Sequence, residues 1–204
     1  MRHMLRSSRR IAALTLVLAG GGCSLAPAPG PVIANYDFGL PPEGRTTPAL
    51  RQALLVHDVS APGWLGSPLI YYRLTYQDAT RPQAYADSRW VSSPAELFTN
   101  RLRARLAASP GGIIRPGDDA RAKYALRVDL EEFIQVFDAP GKSRALVRLR
   151  ASVMGNRSLI AQRDFSVERP ANTPDAEGGV RALIGASDEA VDQLIGWTVG
   201  ALKD

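Results

Sequence analysis

Apolar and polar positions along this chain recur with two periods, and together they predict strands interrupted by two helices. Residues 32–38 (VIANYDF) read as a first strand, closed by Gly39 and the Pro41-Pro42 pair. Residues 49–59 (ALRQALLVHDV) read as a second, ending at Pro62-Gly63. The third, residues 69–76 (LIYYRLTY), is aromatic and β-branched, as pleated surfaces prefer. Residues 83–85 add a short further strand. The clearest helix start is Ser93-Pro94-Ala95-Glu96, with a capping serine, a proline where no N–H is needed, and a glutamate that completes a capping box. Leu97, Phe98, Leu102 and Leu106 then recur at helical spacing until Pro110-Gly111-Gly112.

Three long strands follow. Tyr124, Leu126, Val128 and Leu130 alternate with polar partners, and the alternation breaks at Glu131-Glu132 before residues 133–137. A bulge there restores the buried face. Ala145, Val147, Leu149, Ala151 and Val153 line one side of the next strand, and Arg144, Arg148 and Arg150 line the other. Turns at residues 139–142 and 155–156 connect this meander, which residues 159–168 finish. Val180, Leu183, Ile184, Ser187, Val191, Leu194, Ile195 and Leu202 mark a long amphipathic C-terminal helix. The order β-β-β-α-β-β-β-α, with two main helices over a mixed or largely antiparallel sheet, predicts one layered α/β (α+β) domain.

Ahead of this domain the pattern changes. Arg2, Arg6, Arg9 and Arg10 precede an uninterrupted apolar run, residues 11–19, of nine residues. A span would need roughly 20, so residues 1–22 read as an export signal. Gly20-Gly21-Gly22-Cys23-Ser24 puts small residues before the sole cysteine, in the manner of a bacterial lipobox. The usual box is Leu-Ala-Gly-Cys; here Leu18 and Ala19 are displaced by two residues. The alternative is cleavage after Ala26-Pro27-Ala28, although Pro29 would then follow the scissile bond. Acylation of Cys23 would consume a thiol that is otherwise a liability in an oxidising compartment. Several acyl chains together make a stable anchor. Residues 23–31 then form an acylated, Pro/Ala-rich tether, and residues 32–204 the folded domain. In Gram-negative sorting, Ser24 after the cysteine permits passage to the outer membrane.

Removing the signal also changes the charge. The whole chain has 25 basic and 20 acidic residues; without the four signal arginines the balance is 21 to 20, a net of +1. Net charge therefore gives no argument for nucleic acid. The chain beyond the signal has one histidine, His57, within an apolar strand pattern that suits a structural or exposed residue. One histidine and one acylated cysteine cannot make a His/Cys zinc site within a single chain. P-loop, G-x-G-x-x-G and G-x-S-x-G motifs do not occur in the sequence. Glu131 and Glu132, adjacent on a strand, should point to opposite faces. Asp118-Asp119 suits a solvated turn better than a calcium site. These observations point away from an enzyme and imply no cofactor.

Three cationic features stand out: Arg73 within an aromatic strand, Arg89-Trp90 with Tyr85 nearby, and the stripe Arg144, Arg148, Arg150. Each fits stacking and solvated edges, or a contact surface for a partner protein or anionic lipid.

The ordered set Tyr36-Asp37-Phe38-Gly39, Ile70-Tyr71-Tyr72-Arg73, Tyr85, Arg89-Trp90 and Pro94 resembles the ABC-type transport auxiliary lipoprotein family. That family includes PqiC-like proteins and cholesterol transport system auxiliary components. The resemblance runs from roughly Val32 to Leu202, and the displaced lipobox is its one departure. It implies an outer-membrane lipoprotein, lipid-anchored and facing the periplasm, that partners MCE-type transport proteins with their ABC permease and ATPase. Docking the assembly, as a homo-oligomeric ring or otherwise, or relaying lipid is the implied role. The alternative is a periplasmic carrier that itself holds a lipid or hydrophobic ligand between sheet and helices. On this reading Tyr36, Arg73, Tyr85, Arg89 and Trp90 are structural or interface residues.

Overall fold

The computed structural model describes residues 30, 32–42 and 50–202. The signal, Cys23 and nearly all of the tether lie outside the described residues. In chain order the elements are β1 (Ala34–Tyr36), β2 (Leu54–Val56), β3 (Leu69–Leu74), β4 (Pro82–Trp90), α1 (Pro94–Ala107), β5 (Ile113–Ile114), β6 (Tyr124–Ala139), β7 (Lys142–Gly155), β8 (Ser158–Pro170) and α2 (Ala176–Ala201). They form one mixed sheet with two helices, an α+β domain.

Strand β6 organises this sheet. Along one edge it pairs antiparallel with β7 over its whole length, and β7 pairs in turn with β8. Along its other edge it carries two short parallel strands, β2 beside Leu126 and β3 beside Val136. Strands β4 and β1 extend the sheet beyond β3, and β5 extends it beyond β2. At the opposite limit β8 pairs only with β7, so its outer edge is open among the described residues.

The register shifts between Leu130 and Glu132. This bulge keeps Leu126, Val128 and Leu130 on the same face as Phe133 and Gln135, because one extra residue reverses the alternation. Helix α2 packs against β6, β7 and β8, and against α1. Leu183, Val191, Leu194 and Ile195 of α2 meet the inward row Ala145, Val147, Leu149, Ala151 and Val153 in one core.

Both helices begin on side-chain caps. The Ser93 hydroxyl accepts from the Glu96 amide, and the Glu96 carboxylate accepts from the Ser93 amide in return. At α2, Asp175 accepts from the Gly178 amide at 2.7 Å, which holds its carboxyl below the usual range. Gly178 approaches the Thr173 carbonyl so closely that a Cβ would overlap backbone. Alanine is the better helix former by roughly 1 kcal/mol, yet overpacking costs typically ~1–3 kcal/mol. Gly178→Ala is therefore expected to lower the urea midpoint of unfolding. A raised midpoint would show that the turn before α2 yields without cost.

Several strand limits differ from the expected ones. The second strand shrinks to Leu54–Val56, and the first to Ala34–Tyr36. The short strand expected at residues 83–85 runs from Pro82 to Trp90 instead. Strand β5, only two residues long, was not expected; it pairs parallel with β2.

Candidate functional site

Strand geometry separates the residues singled out above. Trp90 is 2 % exposed and lies in the core. Its indole meets Phe38 edge-on at 5.7 Å and Phe133 at 5.7 Å, while Phe38 and Phe133 stack at 6.0 Å. Tyr36, half-buried, is the register partner of Trp90, and its carbonyl accepts from the Val91 amide at 2.8 Å. Arg89 is exposed. Neighbours on a strand point to opposite faces, so the guanidinium does not stack on the indole as the sequence suggested.

Arg73 pairs with Glu132 at 3.5 Å. Tyr85 stacks obliquely on Tyr72 with ring centroids 4.7 Å apart, and its hydroxyl donates to Gln135 Oε1 at 2.8 Å. Gln135, fully buried, donates onward to the Ser143 hydroxyl at 2.8 Å. Burial first, and the neighbouring Tyr72 second, push the Tyr85 hydroxyl well above the ordinary phenol range, so it stays a donor.

The arginine stripe is neutralised by its neighbours. Arg144 pairs with Asp138 at 2.7 Å and Glu168 at 2.9 Å. Arg148 reaches Glu131 at 3.3 Å and Glu132 at 3.5 Å, and Arg150 reaches Asp164 at 2.7 Å. The two adjacent glutamates thus share one arginine, contrary to the expected opposite orientation. They flank the bulge, where strict alternation is suspended. Asp118 accepts from the Arg115 amide at 2.7 Å and closes a turn.

Uncompensated positive charge gathers elsewhere, in an open cleft of about 560 Å³ where β2, the start of β6 and the β7–β8 turn converge. His57, Lys123, Arg127 and Arg157 line it together with Met154, and among the described residues no acidic side chain does. The amide of His57 donates to the Leu126 carbonyl at 3.1 Å, which seats the His57 backbone alongside β6 next to Arg127. Partial burial, then Arg127, hold the His57 imidazole below its ordinary value of 6.5, against a smaller opposing pull from Asp58. The unfolded chain therefore takes up this proton at a higher pH than the folded one. His57 contributes stability above about pH 6.5, and that contribution fades as pH falls through the lowered folded value. In an NMR titration, Arg127→Gln should move the His57 midpoint upward; an unmoved midpoint would remove Arg127 as a cause.

Among the described residues, no group of three or more His, Cys, Asp or Glu side chains is placed to hold a metal. No described helix is long and apolar enough to cross a membrane.

A family model for the ABC-type transport auxiliary lipoprotein component matches residues 36–195. Among solved structures, a Xanthomonas campestris protein of the family DUF330 matches with a TM-score of 0.71 at 22 % identity, covering 84 % of this chain and 97 % of that one. An uncharacterized protein matches with a TM-score of 0.61 at 15 % identity, over 82 % of this chain and 99 % of its own. The hypothetical protein CT253 of Chlamydia trachomatis gives 0.51 at 9 % identity, over 75 % and 98 %. At such identities the likeness is one of fold. Comparison with curated proteins returns no relative.

Proposed function

The chain belongs to the family of ABC-type transport auxiliary lipoprotein components, and on that premise we propose that it is a non-catalytic adaptor of an MCE-type lipid transport system. Residues 1–22 direct export, Cys23 is acylated, and residues 24–31 tether the folded domain to the outer membrane on its periplasmic side. The domain docks MCE proteins and, through them, their ABC permease and ATPase.

The family match, which spans nearly the whole folded domain, carries this reading. The packing between sheet and helices favours an adaptor over a carrier. Leu183, Val191, Leu194 and Ile195 fill that space against Val147, Leu149, Phe165 and Val167, all of them buried. A carrier would need an apolar cavity there.

Cross-linking in native membranes, followed by identification of the linked partners, tests the proposal. An MCE protein should be recovered, and deleting the protein should sensitise cells to detergent. An intact envelope with no MCE partner would overturn the role. Cys23→Ala should release the domain from the membrane fraction and abolish fatty-acid labelling.

A further inference from the structure

The cleft around His57 differs from the arginine stripe of β7. Arg144, Arg148 and Arg150 each face carboxylates on neighbouring strands. Lys123, Arg127 and Arg157 converge with no acidic lining residue among the described residues. Among the described residues none of the three has a carboxylate partner; Lys123 sits over the Tyr124 ring at 4.9 Å. Like charges gathered beside a histidine repel one another, and an anion bound between them would relieve that repulsion.

The turn that supplies Arg157 carries a second sign. Gly155 and Ser158 pair across a two-residue connection, and Asn156 and Arg157 both have positive φ, 50° and 66°. This turn shape strongly favours glycine at its second position. An arginine there accepts a strained backbone and presents a guanidinium to the cleft instead.

Apolar side chains stand immediately beyond the same turn. Leu159 is 54 % exposed and Ile160 45 % exposed, the latter beside Tyr124 at the cleft margin. Cations next to exposed aliphatic side chains match a ligand that is anionic at one end and hydrocarbon at the other. We propose that this cleft binds the phosphate headgroup of an anionic phospholipid, with Lys123, Arg127 and Arg157 holding the phosphate and Leu159 and Ile160 meeting the acyl chains. The site stands apart from the docking role, and either can fail without the other.

The test uses the full chain in dodecyl maltoside, with the His57 ring resonances as the local reporter. Dihexanoyl phosphatidylglycerol should shift them saturably, dihexanoyl phosphatidylcholine should not, and inorganic phosphate should bind more weakly because it lacks the chains. Arg157→Gly should leave the thermal midpoint equal or higher, because it relieves the turn, while weakening phosphatidylglycerol binding about tenfold. Arg127→Gln should weaken it comparably. Equal responses to the two lipids, or unchanged affinity in both variants, would overturn the site. Inorganic phosphate binding as tightly as phosphatidylglycerol would overturn the lipid assignment.

Discussion

Trp90→Ala is expected to destabilise the domain by ~3–5 kcal/mol, the range for truncating a core aromatic residue to alanine. The indole is enclosed by Phe38 and Phe133 in edge-on contacts and lies where β4 pairs with β1. Its removal would leave a cavity against the Phe38 and Phe133 rings. A typical domain is stable by only ~5–15 kcal/mol, so the loss would be a large share of the total. Urea denaturation should show a lower midpoint with an unchanged slope. A cost below about 1 kcal/mol, the range of surface substitutions, would show that the ring is not part of the core.

A comparable loss is expected from Asp188→Ala. Arg101 of α1 and Asp188 of α2 pair at 3.4 Å with side chains only 2 % and 7 % exposed. One turn further along each helix, Arg105 and Asp192 pair at 2.5 Å. Removing one member of a buried pair leaves the other charge uncompensated and costs ~3–5 kcal/mol. Arg101 also donates to the Phe38 and Gly39 carbonyls, which places the expected cost at the lower end of that range. Replacing both partners by apolar residues, Arg101→Met with Asp188→Leu, should be much less harmful than either change alone. A double-mutant cycle reads the difference directly. If Asp188→Ala costs no more than about 0.5 kcal/mol, the pair does not hold the helices together.

The two long helices and the three long strands could be read from the chain because each buries one regular face. The cap at Ser93 and the bulge at Glu131 were equally legible, since both are local signals. Strand β5 was not, because two residues carry no period, and its pairing with β2 is set by tertiary contact. Strand β4 looked short because residues 86–89 (ADSR) put no large apolar side chain between Tyr85 and Trp90. The cationic features were the hardest to judge. Arg144, Arg148 and Arg150 stand out in the sequence, but their partners come from other strands and turns. Asp138, Glu131, Glu132, Asp164 and Glu168 become their neighbours only when the sheet forms. The converse holds for the cleft. His57, Arg127 and Arg157 lie about a hundred residues apart at their extremes, and no spacing rule links them. Arg89 and Trp90 show the same limit in miniature: adjacency in the chain placed them on opposite sides of a strand.

The open border of β8 bears on how many copies can crowd together. Strand β8 runs for 13 residues, and among the described residues nothing pairs with the backbone donors and acceptors along its outer side, an arrangement that invites strand addition and fibrils. Arg163, Asp164, Glu168 and Arg169 interrupt that border with charges of both signs, and Pro170 withholds an amide at its end. A neighbouring molecule laid along it would have to match these charges in register. Copies of this domain can therefore stand shoulder to shoulder without knitting into aggregates.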